Sequence, residues 1–181
     1  MAATRFVDFG RYLMAKGMLF HDDAVADFGG NDGTASNQFY LATGVKPTVI
    51  DCEPGRLSFA RDAYGLKTIR AFLEDLSAVP DRAFRYGFCS HTIEHTRDPE
   101  KALREIARVI AEEATFVLPL ESHKHGEDNH AHSVVCTKPS QWKALLEANG
   151  WRVKHEGTMK SRGAIGINVH PVEYSCIAEP S

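Results

Sequence analysis

Apolar and polar positions along this chain alternate between two periods. Short apolar runs with few charges, near residues 24–28, 47–51, 67–72, 85–90 and 114–120, read as strands, and the run 85–90, uncharged after its first residue, suits a strand covered on both faces. Between them the apolar residues take helical spacing. After Pro54 come Leu57, Ala60 and Ala63, and after Asp98-Pro99 come Leu103, Ile106, Ala107 and Ile110. Trp142, Leu145 and Leu146 mark a further helix that Gly150 ends. Proline suits a first helical turn, where its missing N–H is not needed, and glycine suits the residue past the last turn. Pro54, Pro99, Gly44 and Gly65 therefore fix helix boundaries, with a helix from about Thr34 to Ala42 ahead of Gly44. Before the first strand, Phe6, Phe9, Leu13 and Phe20 lie near helical spacing with Arg5, Asp8 and Lys16 between them. This predicts an amphipathic helix over 4–18 that caps the sheet edge. Trp151–His155 and Val172–Ala178 read as two last strands joined by a loop, Gly157–Val169, hence an antiparallel hairpin at the edge. Strands alternating with helices imply βαβ units and a mostly parallel sheet, an α/β fold.

Composition narrows the class only modestly. A chain of 181 residues fits one domain, an N-terminal helical segment over 1–22 and a core over 23–181, and buries about 70% of its unfolded surface. A net charge of −3 gives no bulk attraction for nucleic acid, so a nucleic-acid partner is not expected. Cys52, Cys89, Cys136 and Cys176 form no C-x-x-C pair, and three of them sit in apolar runs, the pattern of reduced thiols in a cytoplasmic protein. No apolar run has the length of a membrane span or the form of a signal peptide.

The chemistry concentrates in three stretches. Val25-Ala26-Asp27-Phe28-Gly29-Gly30-Asn31-Asp32-Gly33 is a strand, an acid and a glycine-rich turn, followed by small residues that open a helix. Such a turn brings backbone close to a nucleotide-type ligand, and free N–H groups at the helix start favour an anionic group. Asp27 would repel a diphosphate, so the ligand carries a positive charge. The second strand ends in Asp51, whose two oxygens suit a pair of sugar hydroxyls. The third stretch is Phe-Arg-Tyr-Gly-Phe-Cys-Ser-His-Thr-Ile-Glu-His-Thr-Arg-Asp-Pro, residues 84–99. Its His91-Thr92-Ile93-Glu94-His95 spells the H-x-x-E-H of inverted zinc peptidases. That chemistry needs the motif inside a helix, whereas here it follows a buried strand and stops at Asp98-Pro99. A nicotinamide dehydrogenase is disfavoured too, because G-x-G-x-x-G cannot be placed on Gly29–Gly33.

In order and spacing these stretches resemble class I S-adenosylmethionine-dependent methyltransferases of the group with H-x-[IL]-E-H followed by D-P, over roughly Val25 to Ala178. The resemblance implies a Rossmann-like seven-stranded sheet, mostly parallel, with helices on both faces and the C-terminal edge hairpin. It implies S-adenosylmethionine as cofactor, held by Asp27, Gly29, Gly30, Asn31, Gly33 and Asp51, with Ser90 bordering it. Asn31 stands where the family pattern has its middle glycine. Phe72 occupies the position after strand three where the family has an acid, so Phe72 is expected against the adenine and Asp75 in polar contact with it. His91, His132 and His95 are the candidate proton acceptors for a hydroxyl substrate. Some relatives, the small-RNA 3′-terminal 2′-O-methyltransferases among them, hold a divalent metal through a similar signature. By that analogy Glu94, His95 and His132 are candidate ligands, with His130 and the histidine-rich run 123–132 beside them. The expected function is methyl transfer to a hydroxyl or amine of a small-molecule acceptor; a cofactor-binding domain without turnover is the rival.

Overall fold

A computed structural model describes residues 2–120, 133–134, 136–160 and 172–181. Its helices are α1 (Ala2–Ala15), α2 (Thr34–Thr43), α3 (Pro54–Tyr64), α4 (Pro99–Val109) and α5 (Pro139–Ala148). Its strands are β1 (Val25–Phe28), β2 (Thr48–Asp51), β3 (Lys67–Arg70), β4 (Phe84–Ser90), β5 (Ile110–Leu120), β6 (Trp151–Lys160) and β7 (Val172–Pro180). They form one sheet in the order β3-β2-β1-β4-β5-β7-β6. The first five strands run parallel, and β7 is antiparallel to both β5 and β6. The chain order of β1 to β5 reverses between β1 and β4, and ligands of doubly wound sheets settle at such a switch point, outside the carboxyl ends of the strands.

Alternation along β1 sends Val25 and Asp27 to one face and Ala26 and Phe28 to the other. On the first face α1 and α2 lay Phe6, Phe9, Leu13 and Phe39 over Val25, Tyr86 and Phe88, while Leu57 and Ala60 of α3 cover Val49. The opposite face carries α4 and α5, where Leu103, Ile106, Trp142 and Leu146 pack on Phe28, Ile50, Phe116 and Tyr174. The two indole N–H groups inside this layer donate to backbone, Trp142 to the Pro119 carbonyl and Trp151 to that of Leu103.

The expected helix boundaries are present. Gly44 and Gly65 close α2 and α3 in the left-handed conformation, and the Asp98 carboxylate accepts the Lys101 N–H at the start of α4. Other expectations need correction. Helix α1 ends at Ala15, which leaves Phe20 outside it and exposed, and Ala63 is exposed on α3. Strand β3, at the edge of the sheet, stops at Arg70 and not at Phe72. Ile110 begins β5 instead of ending the preceding helix: the helical backbone turns extended there with no loop between. Strand β6 continues through Gly157 to Lys160, so the expected loop is partly strand. No helix among the described residues is long and apolar enough to cross a membrane, and the four cysteines are unpaired, with Cys52 exposed and the others buried.

Candidate active site

The turn after β1 is held by contacts to β2, to Thr92 and to α3. Gly29 takes a φ of 69° and donates its N–H to the Ile50 carbonyl of β2 at 2.7 Å. A Cβ there would stand 2.3 Å from the side chain of Thr92, which follows the neighbouring strand β4. Thr92 is itself fixed, its hydroxyl donating to the Ser90 carbonyl at 3.0 Å. A side chain on Gly30 would meet the Asp27 carboxyl carbon at 2.7 Å, and one on Gly33 would meet Ala60 and Leu66 at 2.9 Å. Asn31, in the position of the missing glycine, adopts φ 55°, a conformation asparagine tolerates better than most residues. Its N–H donates to Asp51 Oδ2 at 3.0 Å.

Asp51 ends β2 with 8% exposure and lines a cleft of about 170 Å³ together with Gly29, Phe72, Thr92, His95 and Arg97. Each carboxylate oxygen accepts one backbone N–H, from Asn31 on one side and Glu53 at 2.9 Å on the other. A carboxylate has about four lone-pair positions, so two remain for hydroxyls of a ligand. A larger cleft, about 270 Å³, lies between α1 and strands β5, β7 and β6; it lacks Asp51 and the glycine turn, and the chemistry stays with the smaller one.

Asp27 sits deeper than the sequence implies. It is 3% exposed, and Oδ2 accepts the Ser36 hydroxyl of α2 at 2.7 Å. Burial, opposed by the Ser36 hydrogen bond and aided by the charge of Asp51, pushes its carboxyl up to about 7. The helix start, expected to offer free N–H groups to an anionic part of the ligand, is partly taken: Asp32 Oδ1 accepts the Thr34 N–H at 3.0 Å.

Beyond β4 the signature forms a 3-10 turn, Ile93–His95, not an α-helix, which removes the shared face that a zinc peptidase needs. His91, at φ 51°, donates its backbone N–H to the Val117 carbonyl at 2.9 Å. Its ring stands between two buried acids: Nδ1 is 3.5 Å from Glu94 Oε1, and Nε2 is 3.2 Å from Glu173 Oε1 of β7. Hydrogen bonding to Glu94, then the attraction of both carboxylates, raises the imidazole above its ordinary value against the opposing effect of burial. Glu94 is 1% exposed, and its Oε2 and the Ser90 hydroxyl have no partner among the described residues. His95 turns elsewhere, exposed, into the Asp51 cleft.

Comparison with known proteins adds the chain's ancestry to this geometry. A family model described as a methyltransferase domain matches residues 26–118, from β1 through most of β5. The chain belongs to this methyltransferase family. A comparison with curated proteins finds no significant match. Among solved structures, the S-adenosylmethionine-dependent methyltransferase of Methanosarcina mazei superposes with a TM-score of 0.71 at 16% identity, over 92% of this chain and 96% of that one. Magnesium protoporphyrin IX methyltransferase of Synechocystis PCC 6803, solved with its cofactor bound, gives 0.72 at 14% identity over 99% and 79%. The cyclase SpnF gives 0.69 at 17% identity; that match covers 84% of this chain and 59% of SpnF, so one fold carries more than one chemistry.

Within the methyltransferase domain the residues singled out from sequence divide into groups. Gly29, Asp51 and Phe72 meet at one cleft, with Asp27, Gly30, Asn31 and Gly33 forming the wall behind it. Phe72 is 58% exposed there, and the Arg97 guanidinium lies 5.8 Å from its ring centroid. Asp75 does not line the cleft: its Oδ1 accepts the Ser77 N–H and hydroxyl, closing a local turn. Glu74 instead reaches the cleft wall and accepts the Arg97 N–H at 2.6 Å. Among the described residues no group of three His, Cys, Asp or Glu is placed to hold an ion; Glu94 faces His91 and His95 lines the Asp51 cleft. His132 and His130 lie outside the described residues. Sequence reasoning missed Thr92, Arg97, Ser36 and Glu173; of these only Glu173, an acid inside the apolar strand Val172–Ala178, left a signal to follow.

Proposed function

We propose that this methyltransferase moves the methyl group of S-adenosylmethionine to a hydroxyl or amine of a small-molecule acceptor. Asp51 carries the reading: a carboxylate at the end of β2, pinned by two backbone N–H groups, keeps free lone pairs in the cleft of the switch point. The residues present fit that cofactor. Asp51 would take its ribose hydroxyls, Phe72 offers an exposed aromatic face for its purine, and the turn Gly29–Gly33 would hold its amino-acid end. The bound cofactor supplies an electrophilic methyl on a sulfonium. The chain then supplies position and proton removal. Where the acceptor is a hydroxyl, His91 at the carboxyl edge of β4 takes the proton; a neutral amine needs no strong base. Four unpaired cysteines, three of them buried, fit a cytoplasmic setting.

Isothermal titration with S-adenosylmethionine, followed by mass spectrometry of a panel of hydroxyl and amine acceptors, tests this. Binding with a product about 14 mass units heavier than one acceptor (one CH2) is the expected result. Binding with no product across the panel would leave a cofactor-binding domain, and absence of binding would overturn the proposal.

A further inference from the structure

Two segments wall the Asp51 cleft, Ala71 to Glu74 after β3 and Thr92 to Arg97 after β4, and Glu74 fastens one to the other. Its Oε1 accepts the Arg97 N–H at 2.6 Å and the Asp98 N–H at 3.4 Å. On one side of Arg97 the Thr96 hydroxyl donates to the Ile93 carbonyl at 2.7 Å, and on the other Asp98 caps α4. The backbone of Arg97 is thus held while its side chain is exposed. Among the described residues its guanidinium makes no hydrogen bond or ion pair and meets only the Phe72 ring. Phe72 is placed as firmly. Ala71 before it donates its N–H to the Asp51 carbonyl at 3.1 Å, and Leu73 after it is buried in the core. The phenyl ring itself lies exposed at the cleft, and aromatic side chains are common walls of ligand sites.

We propose that Phe72 and Arg97 are two jaws that close on the faces of the cofactor's purine, so that the site selects a flat base and is indifferent to the amino group at its 6 position. This rests on the S-adenosylmethionine reading given above. Aromatic rings and guanidinium planes are surfaces on which nucleobases stack. The guanidinium carbon stands 5.8 Å from the ring centroid. A base between them needs about 3.5 Å on each side, so the jaws part by only about 1 Å, within reach of a long exposed side chain. The edge of the base has no comparable reader. Phe72 stands in place of the acid expected from the family, Asp75 is turned to Ser77, and Glu74 Oε1 is taken by backbone N–H groups. The second oxygen of Glu74 is the rival reader, and the test sets it against the jaws.

Titration calorimetry with S-adenosylhomocysteine and its 6-oxo analogue, S-inosylhomocysteine, reads the proposal without turnover. Wild type should bind the two within about fivefold, less than an unmade buried hydrogen bond costs. Arg97→Ala and Phe72→Ala should each weaken both ligands about five- to thirtyfold. The double variant should lose less than the product of the two, because one open jaw already frees the base. In wild type the Phe72 ring protons should move upfield on binding, the ring-current mark of stacking. Arg11→Ala, which removes a 70% exposed cation of α1 outside the cleft, serves as control and should bind as wild type does. Wild-type affinity in Arg97→Ala overturns the proposal. So does tighter binding of S-adenosylmethionine in that variant with S-adenosylhomocysteine unchanged, because the sulfonium adds a positive charge and Arg97 would then act as a surface charge only. A preference above about fivefold for the 6-amino ligand overturns it as well; where Glu74→Gln abolishes that preference, Glu74 reads the base. Wild-type protein that binds neither S-adenosylmethionine nor S-adenosylhomocysteine instead overturns the cofactor reading, and the jaws fall with it.

Discussion

Replacing Asp27 by asparagine should stabilise this fold at alkaline pH and leave it unimproved in acid. In the unfolded chain the Asp27 carboxyl ionises near 3.8, and in the folded chain only at about 7, because burial beneath the glycine turn penalises the charged form. Between those values the folded state holds the proton and the unfolded state does not, so stability falls as pH rises through that window. The folded acid is thus a liability above pH 7, where both states are ionised and the buried charge is fully expressed. A separation of about three pKa units corresponds to roughly 4 kcal/mol at most. The asparagine side chain keeps an oxygen for the Ser36 hydroxyl and carries no charge. Among the described residues the charge that acts on this carboxyl is that of Asp51, common to both proteins.

Thermal melts of wild type and Asp27→Asn, compared at each of pH 4, 6 and 8, read the effect. The variant should gain progressively, reaching up to about 4 kcal/mol at pH 8. For a chain of this size each kcal/mol moves the midpoint by about 2–4 °C. A difference that is the same at all three pH values would refute the reasoning, whatever its sign. The same raised acid has a counterpart in binding. If the ammonium of S-adenosylmethionine arrives near Asp27, it favours the carboxylate, and binding at pH 6.5 should release a proton. Titration calorimetry in two buffers of different ionisation enthalpy would detect it, and equal apparent enthalpies would place the ammonium elsewhere.

Further outcomes follow from the cleft. Asp51→Ala should weaken S-adenosylmethionine binding by about 1–3 kcal/mol, since two hydroxyls would lose their acceptor; titration calorimetry checks this, and unchanged affinity removes Asp51 from the ribose. Gly29→Ala should destabilise the chain by more than about 1 kcal/mol, because its φ of 69° and the Thr92 side chain at 2.3 Å both resist a Cβ. Thr92→Ser in the same background should recover part of that loss in a denaturant melt by removing the methyl group. Glu94 faces His91 and His95 lines the cleft, and turnover indifferent to a chelator would count against a metal held by Glu94, His95 and His132. Metal analysis of freshly purified protein finding one equivalent of a divalent ion would bring back the ligand set Glu94, His95 and His132.

What the sequence disclosed and what it concealed have a common physical cause. Gly44, Gly65, Asp98-Pro99 and the turn after β1 were legible because a cap or a tight turn is decided by residues within four positions of one another. Asp51 was legible because a polar residue ending an apolar run has few other uses. Ile110 was misassigned because it satisfies the helical stripe and the strand at once, and only the pairing of β4 with β5 decides between them. Asp75 was assigned to the cofactor by its offset from Phe72, but a carboxylate two residues ahead of Ser77 closes a local turn more readily than it reaches a ligand.

The partners of His91 were illegible for the opposite reason. Glu173 is 82 residues away in the chain, and its nearness follows from the place of β7 beside β5, a consequence of topology that no local spacing encodes. The same topology explains why the glycine turn and the H-x-x-E-H signature occur together. Gly29 cannot carry a side chain because Thr92 of the signature lies across it, and Thr92 is held there by the Ser90 carbonyl at the end of the neighbouring strand. The two motifs are therefore halves of one contact between β1 and β4. A change in either should be felt in the other, so the loss from Gly29→Ala and its partial recovery by Thr92→Ser report on the wall of the Asp51 cleft and not on a local turn alone.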